Sequence, residues 1–140
     1  RLGNGILEAS INSTIINNVC ENNSYGIHMW FSDSPSVINN KFNQNYAGGI
    51  LILDTNNVKI YNNSIEYNKK FGGIIVQNGI RGSISYNLIL ENVGYGVTLN
   101  GGTVYYVIHH NSFFNNLIYS NALSQASDDG EGNYWYHPDD

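Results

Sequence analysis

Catalysis and metal binding need carboxylates, imidazoles, thiols or amines held at fixed separations, and this chain has few of them. Its 140 residues include six Lys+Arg, eleven Asp+Glu, four His and one Cys, for a net charge of −5. Glycosidic hydrolysis needs two carboxylates a set distance apart. Glu21 and Glu66 are the best pair, each lying three residues after a recurring Asn, with Asn43 at the equivalent place between them. A β-elimination site needs acids that hold Ca²⁺ and a nearby base. None of Arg1, Lys41, Lys59, Lys69, Lys70 and Arg81 falls beside an acidic cluster. The imidazoles His28, His109, His110 and His137 contain no His-x-His or His-x₃-His pair. His109 and His110 are adjacent in a strand pattern, so they are expected on opposite sides. Met29 is expected in the core, and Cys20, being single, forms no internal disulfide. The acids Asp128, Asp129, Glu131, Asp139 and Asp140 lack calcium-loop spacing and read as a solvated tail. The expectation is no catalytic residue, no metal site and no cofactor.

The elements that carry these groups are set by a repeat. Asn18, Asn40, Asn63, Asn87 and Asn111 follow one another at intervals of 22, 23, 24 and 24. Three residues earlier stand Ile15, Val37, Ile60, Ile84 and Ile108. Two residues later stand Cys20, Phe42, Ile65, Ile89 and Phe113. Five residues later comes a second Asn column: Asn23, Asn45, Asn68, Asn92 and Asn116. Gly5, Gly26, Gly49, Gly73 and Gly96 then precede Ile6, Ile27, Ile50, Ile74 and Val97. Within each unit the apolar runs are short and alternate with period two, without helical periodicity.

These features predict an all-β fold: a single-stranded right-handed parallel β-helix, or solenoid, of about five coils of 22–24 residues. Coils span 1–116, and 117–140 is a C-terminal capping tail of the same domain. The handedness rests on the crossover rule together with the family resemblance given below. The aliphatic columns should stack inward. The Asn columns should occupy corners in left-handed geometry, their amides bonded coil to coil. The glycines should open tight corners, and the extra residues of longer coils should bulge at one corner.

Three segments, Asn12-Ser13-Thr14-Ile15-Ile16-Asn17-Asn18, Tyr25-Gly26-Ile27-His28-Met29 and Asn57-Val58-Lys59-Ile60-Tyr61-Asn62-Asn63, resemble the repeats of NosD-like proteins. That family is also described as the carbohydrate-binding and sugar-hydrolase (CASH) β-helix class. The ending Asp129-Gly130-Glu131-Gly132-Asn133-Tyr134-Trp135 is similar to the Gly-Asn-Tyr-Trp that closes archaeal surface β-helix proteins. The resemblance implies the fold over most of the chain. For function it implies three options: a surface module, a polysaccharide-acting lyase, hydrolase or epimerase, or an accessory protein of copper-enzyme maturation. Fold alone does not choose among them.

Composition excludes other classes. Hydrophobic residues make up 41% and charged residues 12%. No apolar run reaches about 18 residues, so no membrane span is expected. With so few basic residues, nucleic acid is not an expected partner. Alternation places Leu7, His28, Leu51, Ile75 and Thr98 in one outward row, with Trp30, Leu53, Gln77 and Asn100 in the next. Leu7, His28, Trp30, Leu51, Leu53 and Ile75 form the expected binding stripe, for a glycan, a neighbouring domain or another subunit. A second face should present Ile16, Ile38, Tyr61, Ser85 and His109. Asn12, Asn22 and Asn62 head Asn-x-Ser/Thr sequons, open to glycosylation on an exported protein. The chain opens at Arg1 and reads as a piece of a longer protein. Nothing before Gly5 suggests a cap, so more coils or another subunit should stack there, and head-to-tail stacking would build a filament. The functional expectation is a non-catalytic extracellular, cell-surface or periplasmic module for assembly or glycan binding.

Overall fold

The computed structural model describes residues 3–116, 126–127 and 133–136. Among the described residues all regular structure is strand, in three parallel sheets that form the faces of a solenoid of about five turns. The first face stacks Ile6–Glu8, Tyr25–Trp30, Gly48–Leu53, Ile74–Gln77 and Val97–Asn100. The second stacks Thr14–Ile16, Ser36–Ile38, Val58–Tyr61, Ile80–Ser85, Val104–His109 and Ala126–Ser127. The third stacks Val19–Glu21, Lys41–Asn43, Ser64–Glu66, Leu88–Leu90, Ser112–Phe114 and Tyr134–Tyr136.

The expected columns fall into register without slippage. Ile6, Ile27, Ile50, Ile74 and Val97 are successive partners on the first face. Ile15, Val37, Ile60, Ile84 and Ile108 align on the second, and Cys20, Phe42, Ile65, Ile89 and Phe113 on the third. A one-residue slip would turn each set outward, so the burial pattern itself holds the register. Most of these side chains are fully buried, each contributing roughly 1.5–3 kcal/mol. Cys20 is one of them, a free cysteine whose thiol burial pushes up in pKa.

The corner between the second and third faces is an amide ladder. Asn63 Oδ1 accepts from the backbone N–H of Asn40 at 2.9 Å and from its Nδ2 at 3.1 Å. Asn63 Nδ2 donates to the carbonyls of Val37 and Tyr61 and to Asn87 Oδ1. The same pattern links Asn18 through Asn111 and continues to Asn133. The second Asn column makes a parallel ladder between the third and first faces.

Three expectations are corrected. The ladder asparagines are not the left-handed residues. That geometry belongs to the residue before each one: Asn17, Asn39, Asn62, Tyr86 and His110, and on the second ladder Asn22, Gln44, Tyr67, Glu91 and Asn115. The bend is made one position early so that the Asn side chain turns inward to the carbonyls. The column glycines do not serve a left-handed turn either. A Cβ on Gly26 would sit 2.6 Å from Phe42 Cδ1 and 2.7 Å from the Gly49 carbonyl oxygen, so close packing demands glycine there. Finally, extra residues enter at two corners. The second-to-third corner has constant length (Ile15 to Cys20, Ile108 to Phe113), whereas Cys20 to Ile27 is shorter than Ile65 to Ile74, and Ile6 to Ile15 is shorter than Val97 to Ile108.

Most of the tail expected as a cap lies outside the described residues. Within it, Ala126–Ser127 pairs with Tyr106–Val107 and Tyr134–Tyr136 pairs with Ser112–Phe114, extending the second and third faces by one further rung.

Candidate functional site

The first face carries the expected stripe. Leu7, His28, Leu51 and Ile75 are register partners, and Trp30 pairs with Leu53. Leu7 is 62% and Trp30 43% exposed, while His28, Leu51 and Leu53 are half-buried. Ile75 points outward but is buried, because its Cδ1 leans back over Gly48, as does the Tyr25 ring.

Across the second coil this face holds four rings in succession. The centroids of Tyr25 and His28, His28 and Trp30, and Trp30 and Phe31 lie 6.1, 6.0 and 6.1 Å apart, each pair tilted as aromatic contacts prefer. His28 Nδ1 lies 3.2 Å from Asn4 Nδ2, and its Nε2 is buried without a partner. Desolvation holds the imidazole below its ordinary pKa, which favours the neutral ring. Phe31 is 73% exposed at φ +50°. Later coils place Asp54, Asn78 and Gly101 after the same strand, all left-handed as well. Left-handed geometry disfavours a bulky apolar side chain.

The carboxylate pair is brought into one row. Glu21, Asn43 and Glu66 are successive partners on the third face. Asn43 Nδ2 donates to Glu21 Oε1 at 3.2 Å, and the Ser64 hydroxyl donates to Glu66 Oε1. Asn43 therefore separates the two acids. An open groove follows the adjacent corner, lined by Asn17, Asn39, Asn62, Lys41 and Ser64, and Lys41 is the one charged residue in its lining. Neither arrangement sets an acid against a base.

The histidine reading is corrected. His109 and His110 do not face opposite sides. His110 is left-handed at φ +52°, which swings its ring back so that the two Nδ1 atoms lie 2.7 Å apart. The Tyr86 ring stacks on His110 at 4.7 Å and 7°, and Tyr61 packs on Tyr86 at 5.3 Å. Among the described residues no three His, Cys, Asp or Glu side chains come together as a metal centre. Arg1, His137, Asp128, Asp129, Glu131, Asp139 and Asp140 lie outside the described residues. Asn12, Asn22 and Asn62 are exposed and left-handed, with Asn62 Nδ2 bonded to Asn39 Oδ1.

Three further features of the sequence carry signals that periodicity contains. Asn133 follows Asn111 by one repeat and joins the ladder, where its Oδ1 accepts from Asn111. Glu8 is in register with Met29, so alternation turns it inward, and it is 7% exposed. The hydroxyls of Ser10, Ser13 and Ser32 and the Ser10 N–H donate to it. Tyr106 is in register with Gly82, and its buried ring fills the space a Gly82 Cβ would take.

The sequence model of the family described as right-handed β-helix region matches residues 3–134. The chain belongs to the right-handed β-helix family. In this β-helix the match spans the five coils and ends at Tyr134, where the last strand begins. No curated protein and no solved structure gave a match. Among the described residues of this β-helix no helix is long and apolar enough to cross a membrane.

Proposed function

We propose that this β-helix is a non-catalytic binding module of an exported or cell-surface protein, and that the aromatic strip on its first face takes a glycan. One observation carries the reading: Phe31 stands exposed in left-handed geometry beside the exposed Trp30 ring. An apolar ring held there at a cost to the free chain is accounted for by a ligand that stacks on it. Leu7 and Leu53 flank the rings and supply apolar surface for the axial C–H faces of a sugar. The exposed sequon asparagines support an exported location, and the NosD-like resemblance supports the carbohydrate-binding branch.

Titration of the chain with neutral and uronate polysaccharides, read by tryptophan fluorescence and calorimetry, tests the proposal. Saturable binding should weaken at least tenfold in Trp30→Ala and in Phe31→Ala and stay unchanged in Tyr86→Ala. New reducing ends or unsaturated products would favour the enzyme reading instead. Filaments in electron micrographs without saccharide binding would favour head-to-tail assembly.

A further inference from the structure

The fifth coil departs from its neighbours in a way that folding does not require. On the second face Tyr61, Ser85 and His109 are register partners, Ser85 being covered rather than exposed as expected, and the left-handed positions that follow are Asn62, Tyr86 and His110. Serine and asparagine therefore satisfy the same two backbone positions in other coils. In the fifth coil both are imidazoles. Their Nδ1 atoms converge to 2.7 Å, and one ring is clamped by the parallel face of Tyr86. Tyr61 in turn supports Tyr86, and Lys59 Nζ lies 5.1 Å from the Tyr61 ring centre.

Two imidazole nitrogens so close need a single hydrogen between them, or a metal ion in its place. A given set of nitrogen donors holds late first-row divalent ions with an affinity that peaks at Cu(II). We propose that His109 and His110 chelate a divalent late first-row ion of tetragonal preference, Cu(II) or Ni(II), through their two Nδ1 atoms. Tyr86 is a positioning residue that fixes the His110 ring. Both imidazoles are half-buried, and water or another ligand would complete the coordination. Binding uses both Nδ1 lone pairs, so the hydrogen shared by the pair passes through solvent to the Nε2 of the ring that carried it, and no net proton is released. The site lies on a different face from the aromatic strip and does not depend on it.

The test adds CuCl₂, NiCl₂ or ZnCl₂ alone to the full chain, followed by calorimetry and, for copper, by paramagnetic resonance. One Cu(II) per chain should bind, with a tetragonal spectrum showing nitrogen coupling, and more tightly than Zn(II). His109→Ser and His110→Asn should each weaken binding at least tenfold. They place residues that other coils already use, so circular dichroism should stay unchanged. His28→Asn and His137→Asn should leave the affinity within twofold. Tyr86→Leu should weaken binding severalfold and broaden the spectrum. Undiminished binding in His110→Asn, loss of binding in His137→Asn, or Zn(II) binding as tight as Cu(II) would each overturn the assignment.

Discussion

Where the second face turns into the third, every coil uses the same amide; where the first turns into the second, the coils use whatever short hydroxyl or carboxylate fits. The amide corner has one length and one chemistry. Each interior Asn caps the coil before it and is capped by the coil after it, at 2.9–3.1 Å throughout Asn40, Asn63 and Asn87. The hydroxyl corner is looser. Ser32 N–H reaches Thr55 Oγ1 at 3.4 Å, Gly79 N–H reaches Thr103 Oγ1 at 3.4 Å, and the row ends on the buried Glu8 carboxylate. An amide offers two donors and two acceptor lone pairs on one plane, enough to repeat without change. A hydroxyl offers one donor, so its coils need other partners. A solenoid is thus pinned along one edge and adjusted along another.

The difference is broken most severely by Asn63→Ala. That change orphans the buried Asn40 N–H and the Val37 carbonyl, and each orphan costs about 1–3 kcal/mol. Urea denaturation should show a loss of about 3–5 kcal/mol; a loss below about 1 kcal/mol would mean the ladder does not hold this corner.

Glu8→Ala comes next, at about 2 kcal/mol near neutral pH, since hydrogen bonds to a charged group are worth about 1.5–3 kcal/mol. Its pH dependence has a definite sign. Burial alone would raise the carboxyl, but the bonds from Ser10, Ser32 and Ser13 together outweigh it and hold the group below its ordinary value of 4.5. Its stabilisation is therefore complete above that value and fades as pH falls through the folded-state pKa. Thermal melts of both proteins between pH 7 and 3 should converge on the acid side. A gap that stays constant would show that packing, not charge, is at stake.

Thr55→Val should cost only about 1 kcal/mol, because it removes one 3.4 Å acceptor and one bond to the Leu53 carbonyl. Tyr106→Phe should change stability by a similar amount in the opposite direction. The Tyr106 hydroxyl is buried beside this corner without a partner among the described residues, and burial pushes its pKa upward. A destabilised Phe variant would reveal a partner for that hydroxyl. Asn18→Ala should have the smallest effect, about 0.5 kcal/mol, since Asn18 is exposed and caps no described coil before it. A loss as large as that of Asn63→Ala would indicate a capped first rung.

Much of the scaffold was legible because a parallel solenoid repeats its environment. Ile27 and Ile50 meet the same neighbours, so they recur at the same place in the chain, and so do Asn40 and Asn63. Glu8 and Asn133 were legible in principle too, one by alternation and the other by one more period. The outward residues were less so. That Leu7, His28, Leu51 and Ile75 form one row follows from period two, but that Ile75 is covered depends on the void above Gly48. The histidine pair shows the limit most clearly. Strand alternation sends adjacent side chains to opposite sides only while both residues are extended, and His110 is not.

The spacing of like residues by itself determined the coil, the inward columns and the two amide ladders, because each turn of a solenoid repeats the environment of the one before it. Only the tertiary structure decided which corner residue bends left-handed, which outward side chain is covered, and which rings converge. Those outcomes depend on the direction of a side chain at a bend, and that direction is set by contacts with the neighbouring coil that no count along the chain contains.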